Sequence, residues 1–151
     1  MKSAEQENKY FINPYTNLKD IRKYGSLTIE KGRGIYVYDE NNNKIKILME
    51  SGVPLVDIRT EKEWHETGVI NQSKLLTFFD KDGNYNVKKW MLELEKIATK
   101  KDPVIIICRS GRRSRIVSNF LDQEANYSNV YHATNGMISW IDSKNKTVKP
   151  D

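Results

Sequence analysis

The chain has 151 residues, 38% hydrophobic and 30% charged, which fits one soluble domain with its own core and excludes a disordered chain. The longest apolar run beside a motif, residues 104–108, is too short to cross a bilayer, so membrane insertion is not expected. The net charge of +5 suits nucleic acid, acidic lipid or a small anionic substrate, but the basic residues are scattered apart from Arg109, Arg112, Arg113 and Arg115, so nucleic-acid binding is not expected.

Residues 1–13 are polar and lack the apolar core of a signal peptide, as expected of a cytoplasmic product if Met1 is the natural start. Residues 1–35 read as a polar extension with a glycine-containing turn at Gly32 and Gly34; packing on the domain, a homodimer contact and a cloned leader are its open uses. Asn42 or Asn43 is placed to cap a short helix carrying Ile45, Leu48 and Met49, stopped by Gly52. Residues 53–58, with Pro54 near the start, suit a buried strand. Residues 61–67 read as one or two helical turns closed by Gly68. Residues 75–79 form another apolar run, ended by the turn Asp80-Lys81-Asp82-Gly83.

Val87, Trp90, Met91, Leu94, Ile97 and Ala98 fall on one face of a helix. Pro103 then opens Val104-Ile105-Ile106-Ile107, β-branched and without alternation, as expected of a strand covered on both faces. Ile116, Val117, Phe120 and Leu121 mark a further helix, residues 130–132 a last strand, and Met137, Ile138, Trp140 and Ile141 a last helix. Residues 146–151 read as a C-terminal tail. The alternation predicts an α/β domain with a mainly parallel sheet and helices on both faces.

The chain has one cysteine and two histidines, His65 and His132. No internal disulfide is available, and metal-ligand spacing is lacking, so no metal site is expected. The cysteine opens the segment Cys108-Arg109-Ser110-Gly111-Arg112-Arg113-Ser114, between the best strand and an amphipathic helix. Ligands of open α/β sheets bind at the carboxyl ends of the strands. A short loop returning into a helix N-terminus turns backbone N–H groups inward, making an anion nest. Gly111 permits positive φ angles there. Ser114 is placed to cap the helix and to donate toward the sulfur. Helix N-termini and cationic neighbours favour the thiolate, the nucleophilic form of cysteine. A cysteine after four apolar residues is often only a small core residue, but that reading leaves a glycine loop with three arginines unexplained.

These residues resemble the rhodanese family. The resemblance rests on the Cys-x-x-Gly-x-x-Ser loop, Val56-Asp57-Ile58-Arg59, Glu63-Trp64, Gly68-Val69-Ile70 and Asn135-Gly136-Met137-Ile138-Ser139-Trp140. It covers roughly residues 36–145, in the family's order. It implies the rhodanese-like fold and a sulfane sulfur carried from thiosulfate or polysulfide, through a Cys108 persulfide, to a thiol, a protein acceptor or cyanide, with no metal or organic cofactor. Residues 109–114 would then cradle the outer sulfur, and Arg109, Arg112 and Arg113 would attract the anionic donor. Asp57 would brace the loop, and Arg59 would pair with a carboxylate such as Glu63. Trp64 and Trp140 are read as packing residues, and His65 and His132 as surface or strand-end histidines.

Three departures concern turns: Val69 stands where many relatives have His, Asn71-Gln72 where they have Pro-Gly, and Asn135-Gly136 where they have Gly-Gly. Similar single-domain proteins are often exported, which makes a periplasmic location the alternative to a cytoplasmic one. A docking or sulfur-relay module without catalysis is the second reading of function. A cysteine phosphatase or arsenate reductase comes behind, because its loop closes on an arginine that clamps a tetrahedral oxyanion. Here Ser114 takes that position, and Arg115 falls one residue later.

Overall fold

The computed structural model describes residues 28–29, 35–37 and 42–151. The strands are β1 (Thr28–Ile29), β2 (Ile35–Val37), β3 (Leu55–Asp57), β4 (Lys74–Leu75), β5 (Val104–Ile107) and β6 (Val130–Ala133). The helices are α1 (Asn43–Glu50), α2 (Glu61–Thr67), α3 (Val87–Glu95), α4 (Arg112–Gln123) and α5 (Gly136–Asp142). The strands form one six-stranded sheet in the order β1-β2-β6-β5-β3-β4. Only β1 against β2 is antiparallel; the other neighbouring pairs are parallel. The expected α/β architecture is present, with β5 flanked by β6 and β3. Among the described residues no helix is long and apolar enough to cross a membrane.

The unbroken apolar run of β5 has a direct physical reading. Its four residues are all fully buried, and side chains alternate between the faces of a strand. Val104 and Ile106 pack with Val56, Trp90, Leu94, Val117 and Leu121 on the face covered by α3 and α4. Ile105 and Ile107 pack with Ile45, Leu48, Leu55, Tyr131, Met137 and Trp140 on the face covered by α1 and α5. Burying each such side chain is worth about 1.5–3 kcal/mol, so a strand with two covered faces needs no polar positions. Cys108 continues the period and belongs to the α3–α4 face.

The structure adds to the sequence-based expectations and corrects some of them. Within the stretch read as a polar extension, Thr28–Ile29 and Ile35 belong to the sheet; the rest of that stretch lies outside the described residues. The C-terminal tail is docked, since Val69 and Val148 exchange backbone hydrogen bonds of 2.9 and 2.8 Å. Asn42 is the N-cap of α1 but makes no side-chain cap; its amide donates to Ser139 Oγ on α5 at 3.2 Å. Ile116, Ile138 and Ile141 are exposed rather than part of the buried helix faces. In α4 the buried positions are Ser114, Val117, Ser118 and Leu121, an i, i+3, i+4, i+7 set that passes Ile116 by. Gln72, in the Asn71-Gln72 turn, takes a left-handed φ of 67°.

Candidate active site

The carboxyl end of β5 delivers Cys108 into the loop that leads to α4, and the residue has no exposed surface. Its Sγ accepts the backbone N–H of Gly111 at 3.1 Å and that of Ser114 at 3.3 Å. The thiol donates to Ser114 Oγ at 3.4 Å. Two converging N–H donors at the start of a 12-residue helix make the anion nest expected from the sequence. Ser114 is not the cap, however. Gly111 is the N-cap residue and no side chain caps the helix; Ser114 sits in the first turn and its hydroxyl donates to the Gly111 carbonyl at 3.1 Å.

Two glycines and the start of α5 fix the curvature of this loop. Gly111 has φ +91°, and a Cβ there would collide with the Thr134 carbonyl. Gly136 has φ +56°, and a Cβ there would collide with the carbonyls of Cys108 and Arg109. Those carbonyls accept the N–H groups of Met137 at 2.9 Å and Ile138 at 3.0 Å. The loop's first two carbonyls are thus turned to α5 while N–H groups farther along face the sulfur. Asn135 has φ −108° and ψ 8°, which a side chain tolerates. The Asn135-Gly136 departure therefore costs the turn nothing, since only the second position needs glycine.

The charged residues divide into two sets. Arg109 and Arg112 are exposed, as is Ser110. Arg113, expected to face the donor, is instead held bidentately by Glu63, with Nη1 and Nη2 at 2.9 and 2.6 Å from its carboxylate oxygens. This pair links the start of α4 to α2. Glu63 also accepts the backbone N–H of Thr60 at 3.0 Å, while the Thr60 hydroxyl accepts the Glu63 N–H, completing a capping box. Burial raises the Glu63 carboxyl, but hydrogen bonds from Arg113 and Thr60 and the Arg113 charge outweigh it and bring its pKa down to about 2. Glu63 in turn raises Arg113.

The expected Arg59–Glu63 pair is not formed. Arg59 is fully buried and pairs with Asp57, Nη2 to Oδ2 at 2.6 Å and Nε to Oδ1 at 2.9 Å. Its remaining donors reach Thr67 Oγ1 at 2.7 Å and the Gly68 carbonyl at 2.9 Å, fastening the end of α2. Asp57 hydrogen-bonds to Arg59 and not to the cysteine loop, so it fastens α2 and reaches the loop through its charge, which helps raise the Arg113 pKa. Trp140 is buried, Trp64 half-buried and His65 exposed.

His132, read as a surface or strand-end residue, is buried in β6, with Nδ1 3.4 Å from Ser114 Oγ. Burial, then the Arg115 charge, lower its pKa to about 4 against a hydrogen bond with the Ala133 backbone, so the imidazole is neutral at pH 7. Strand parity carried the missed signal. The register pairs His132 with Ile106, and the two-residue period puts both on the face that holds Cys108. Among the described residues no group of three His, Cys, Asp or Glu side chains could hold a metal ion.

Comparison with known proteins gives a consistent picture. The Rhodanese-like domain family model matches residues 41–143. An uncharacterized protein of Rickettsia prowazekii (strain Madrid E) is 31% identical over 94 residues, 60% of this chain and 73% of that one. The crystal structure of a rhodanese-like domain protein from Staphylococcus aureus aligns with a TM-score of 0.50 at 26% identity, over 72% of this chain and 90% of that one. A Rhodopseudomonas palustris protein of unknown function, described as a possible tyrosine phosphatase, aligns with a TM-score of 0.51 at 20% identity, over 77% and 84% of the two chains. That last likeness speaks for the fold alone.

Proposed function

The chain belongs to the Rhodanese-like domain family, and from that premise we propose that it is a sulfurtransferase working through a Cys108 persulfide. The supporting observation is the sulfur's setting: Sγ lies at the carboxyl end of β5, accepting the N–H groups of Gly111 and Ser114. Hydrogen bonds to an ionised acceptor are about twice as strong as neutral ones, so two N–H donors aimed at Sγ suit a sulfur that carries negative charge during the reaction.

In the proposed cycle the Cys108 thiolate attacks the sulfane sulfur of thiosulfate or a polysulfide. A new S–S bond forms to Cys108, and the donor's S–S bond breaks with its electron pair leaving on sulfite or on the shortened polysulfide. An acceptor thiolate or cyanide then attacks the outer sulfur and the bonding pair returns to Cys108. The two displacements balance without an external oxidant or reductant, as covalent catalysis by an activated nucleophile requires. Arg109 and Arg112, exposed in the loop that follows Cys108, attract the anionic donor, while Arg113 serves the loop's architecture through Glu63.

The sequence places Arg115, not Ser114, outside the loop that phosphatases close with arginine, which sets phosphate-monoester chemistry behind sulfur transfer. The test is thiocyanate release from thiosulfate and cyanide, with an aryl phosphate as the competing substrate. Turnover lost in Cys108→Ser supports the reading. Phosphate release without thiocyanate overturns it, and absence of both moves the protein to a docking role.

A further inference from the structure

We propose that His132 is a positioning residue of the sulfur site, holding the Ser114 hydroxyl through Nδ1 so that its proton serves the Cys108 sulfur. Ser114 Oγ has three polar neighbours: Cys108 Sγ at 3.4 Å, the Gly111 carbonyl at 3.1 Å and His132 Nδ1 at 3.4 Å. A hydroxyl offers one proton and two lone pairs. With Cys108 as a thiol, the S–H donates to Oγ and the hydroxyl proton goes to Gly111. With Cys108 as a thiolate, the sulfur can only accept. The hydroxyl proton then turns to the sulfur, and the oxygen loses the donor it had.

A buried oxygen that loses its donor is penalised by about 1–3 kcal/mol. His132 is the neighbour able to fill that place, because a neutral imidazole carrying its proton on Nδ1 donates into the Ser114 oxygen. The Gly111 carbonyl cannot, having only lone pairs. Position supports the assignment. β6 lies beside β5 in parallel register, His132 and Ser114 are both buried, and His132 lies on the face of the sheet that holds Cys108. A neutral imidazole through the working pH range also keeps the role constant, which a titrating histidine would not.

This inference rests on the sulfurtransferase reading only in taking the Cys108 thiolate as the reactive species, and its test does not use sulfur transfer. The rate of Cys108 alkylation by iodoacetamide is followed by intact mass at pH 7 in wild type, S114A, H132Q, H132N and S114A/H132Q, with thermal melts to certify folding. Asparagine can place its amide nitrogen near the Nδ1 position and glutamine cannot. H132Q and S114A are expected to slow alkylation about three- to tenfold, the equivalent of one hydrogen bond. The double variant is expected to be no slower than S114A, and H132N to recover most of the rate. An H132Q rate equal to wild type, or effects of H132Q and S114A that multiply, overturns the proposal. Long-range proton–nitrogen spectra of the unmodified protein give a reading independent of any variant: an Nδ1–H tautomer at His132 supports the proposal and an Nε2–H tautomer overturns it. Coupling in alkylation without sulfur transfer would sink the sulfurtransferase reading alone; transfer without coupling would sink this one alone.

Discussion

His132 ties the stability of the domain to acidity. Its folded-state pKa of about 4 lies below the ordinary histidine value of 6.5, because protonation would place a charge among β6, β5 and α4 near the Arg115 cation. The unfolded chain therefore binds this proton more readily wherever the pH lies between those two values. Stability is complete above pH 6.5 and falls as the pH drops through that window toward 4. Worked through the linkage relation, the loss is about 2 kcal/mol at pH 5 and about 3 kcal/mol at pH 4. The assay is urea unfolding of wild type and H132N from pH 7.5 to pH 4. Carboxylate titration is common to both proteins and cancels in the difference. Wild type is expected to lose about 2 kcal/mol more than H132N between pH 7.5 and pH 5. A difference that stays flat across this interval would refute the buried, neutral histidine.

Three further outcomes follow from the geometry. Asp57→Ala leaves the buried Arg59 guanidinium without its carboxylate, so urea unfolding is expected to show a loss of about 3–5 kcal/mol; a loss under 1 kcal/mol would mean the pair is solvated. Gly111→Ala drives a Cβ into the Thr134 carbonyl at a left-handed φ, and is expected to reduce sulfur transfer at least about tenfold through displacement of the sulfur's N–H donors; normal kcat/KM would show that the loop relaxes freely. Arg112→Ala is expected to raise KM for thiosulfate about two- to fivefold while sparing an uncharged donor, since an exposed cation acts through screened attraction; equal losses with both donors would remove the electrostatic role.

Much of the fold was legible because covered strands and amphipathic helices leave strong patterns. Residues 104–107 could be read as a doubly covered strand from composition alone, and the loop from Cys108 to Ser114 announced an anion nest by its glycine and its place before a helix. What escaped the sequence was pairing. Arg59 and Glu63 are four apart, a spacing that suggests an ion pair within a helix. But Arg59 precedes the N-cap Thr60, so its side chain turns back along the chain to Asp57. Glu63, committed to the capping box, is left to meet Arg113 from 50 residues away. The same blindness hid His132, whose neighbour Ser114 lies 18 residues earlier and becomes visible only once β6 is registered against β5. Ile116, Ile138 and Ile141 show the opposite failure, since hydrophobicity invited burial on helix faces that α4 and α5 turn elsewhere.

The persulfide itself is the most direct test of the account. Intact mass is recorded after incubation with thiosulfate or polysulfide, with Cys108→Ser alongside, and again after cyanide or a small thiol is added. The account predicts a gain of one sulfur atom on the wild type, none on the variant, and its loss when the acceptor arrives. No gain with either donor, or an equal gain on Cys108→Ser, would contradict it.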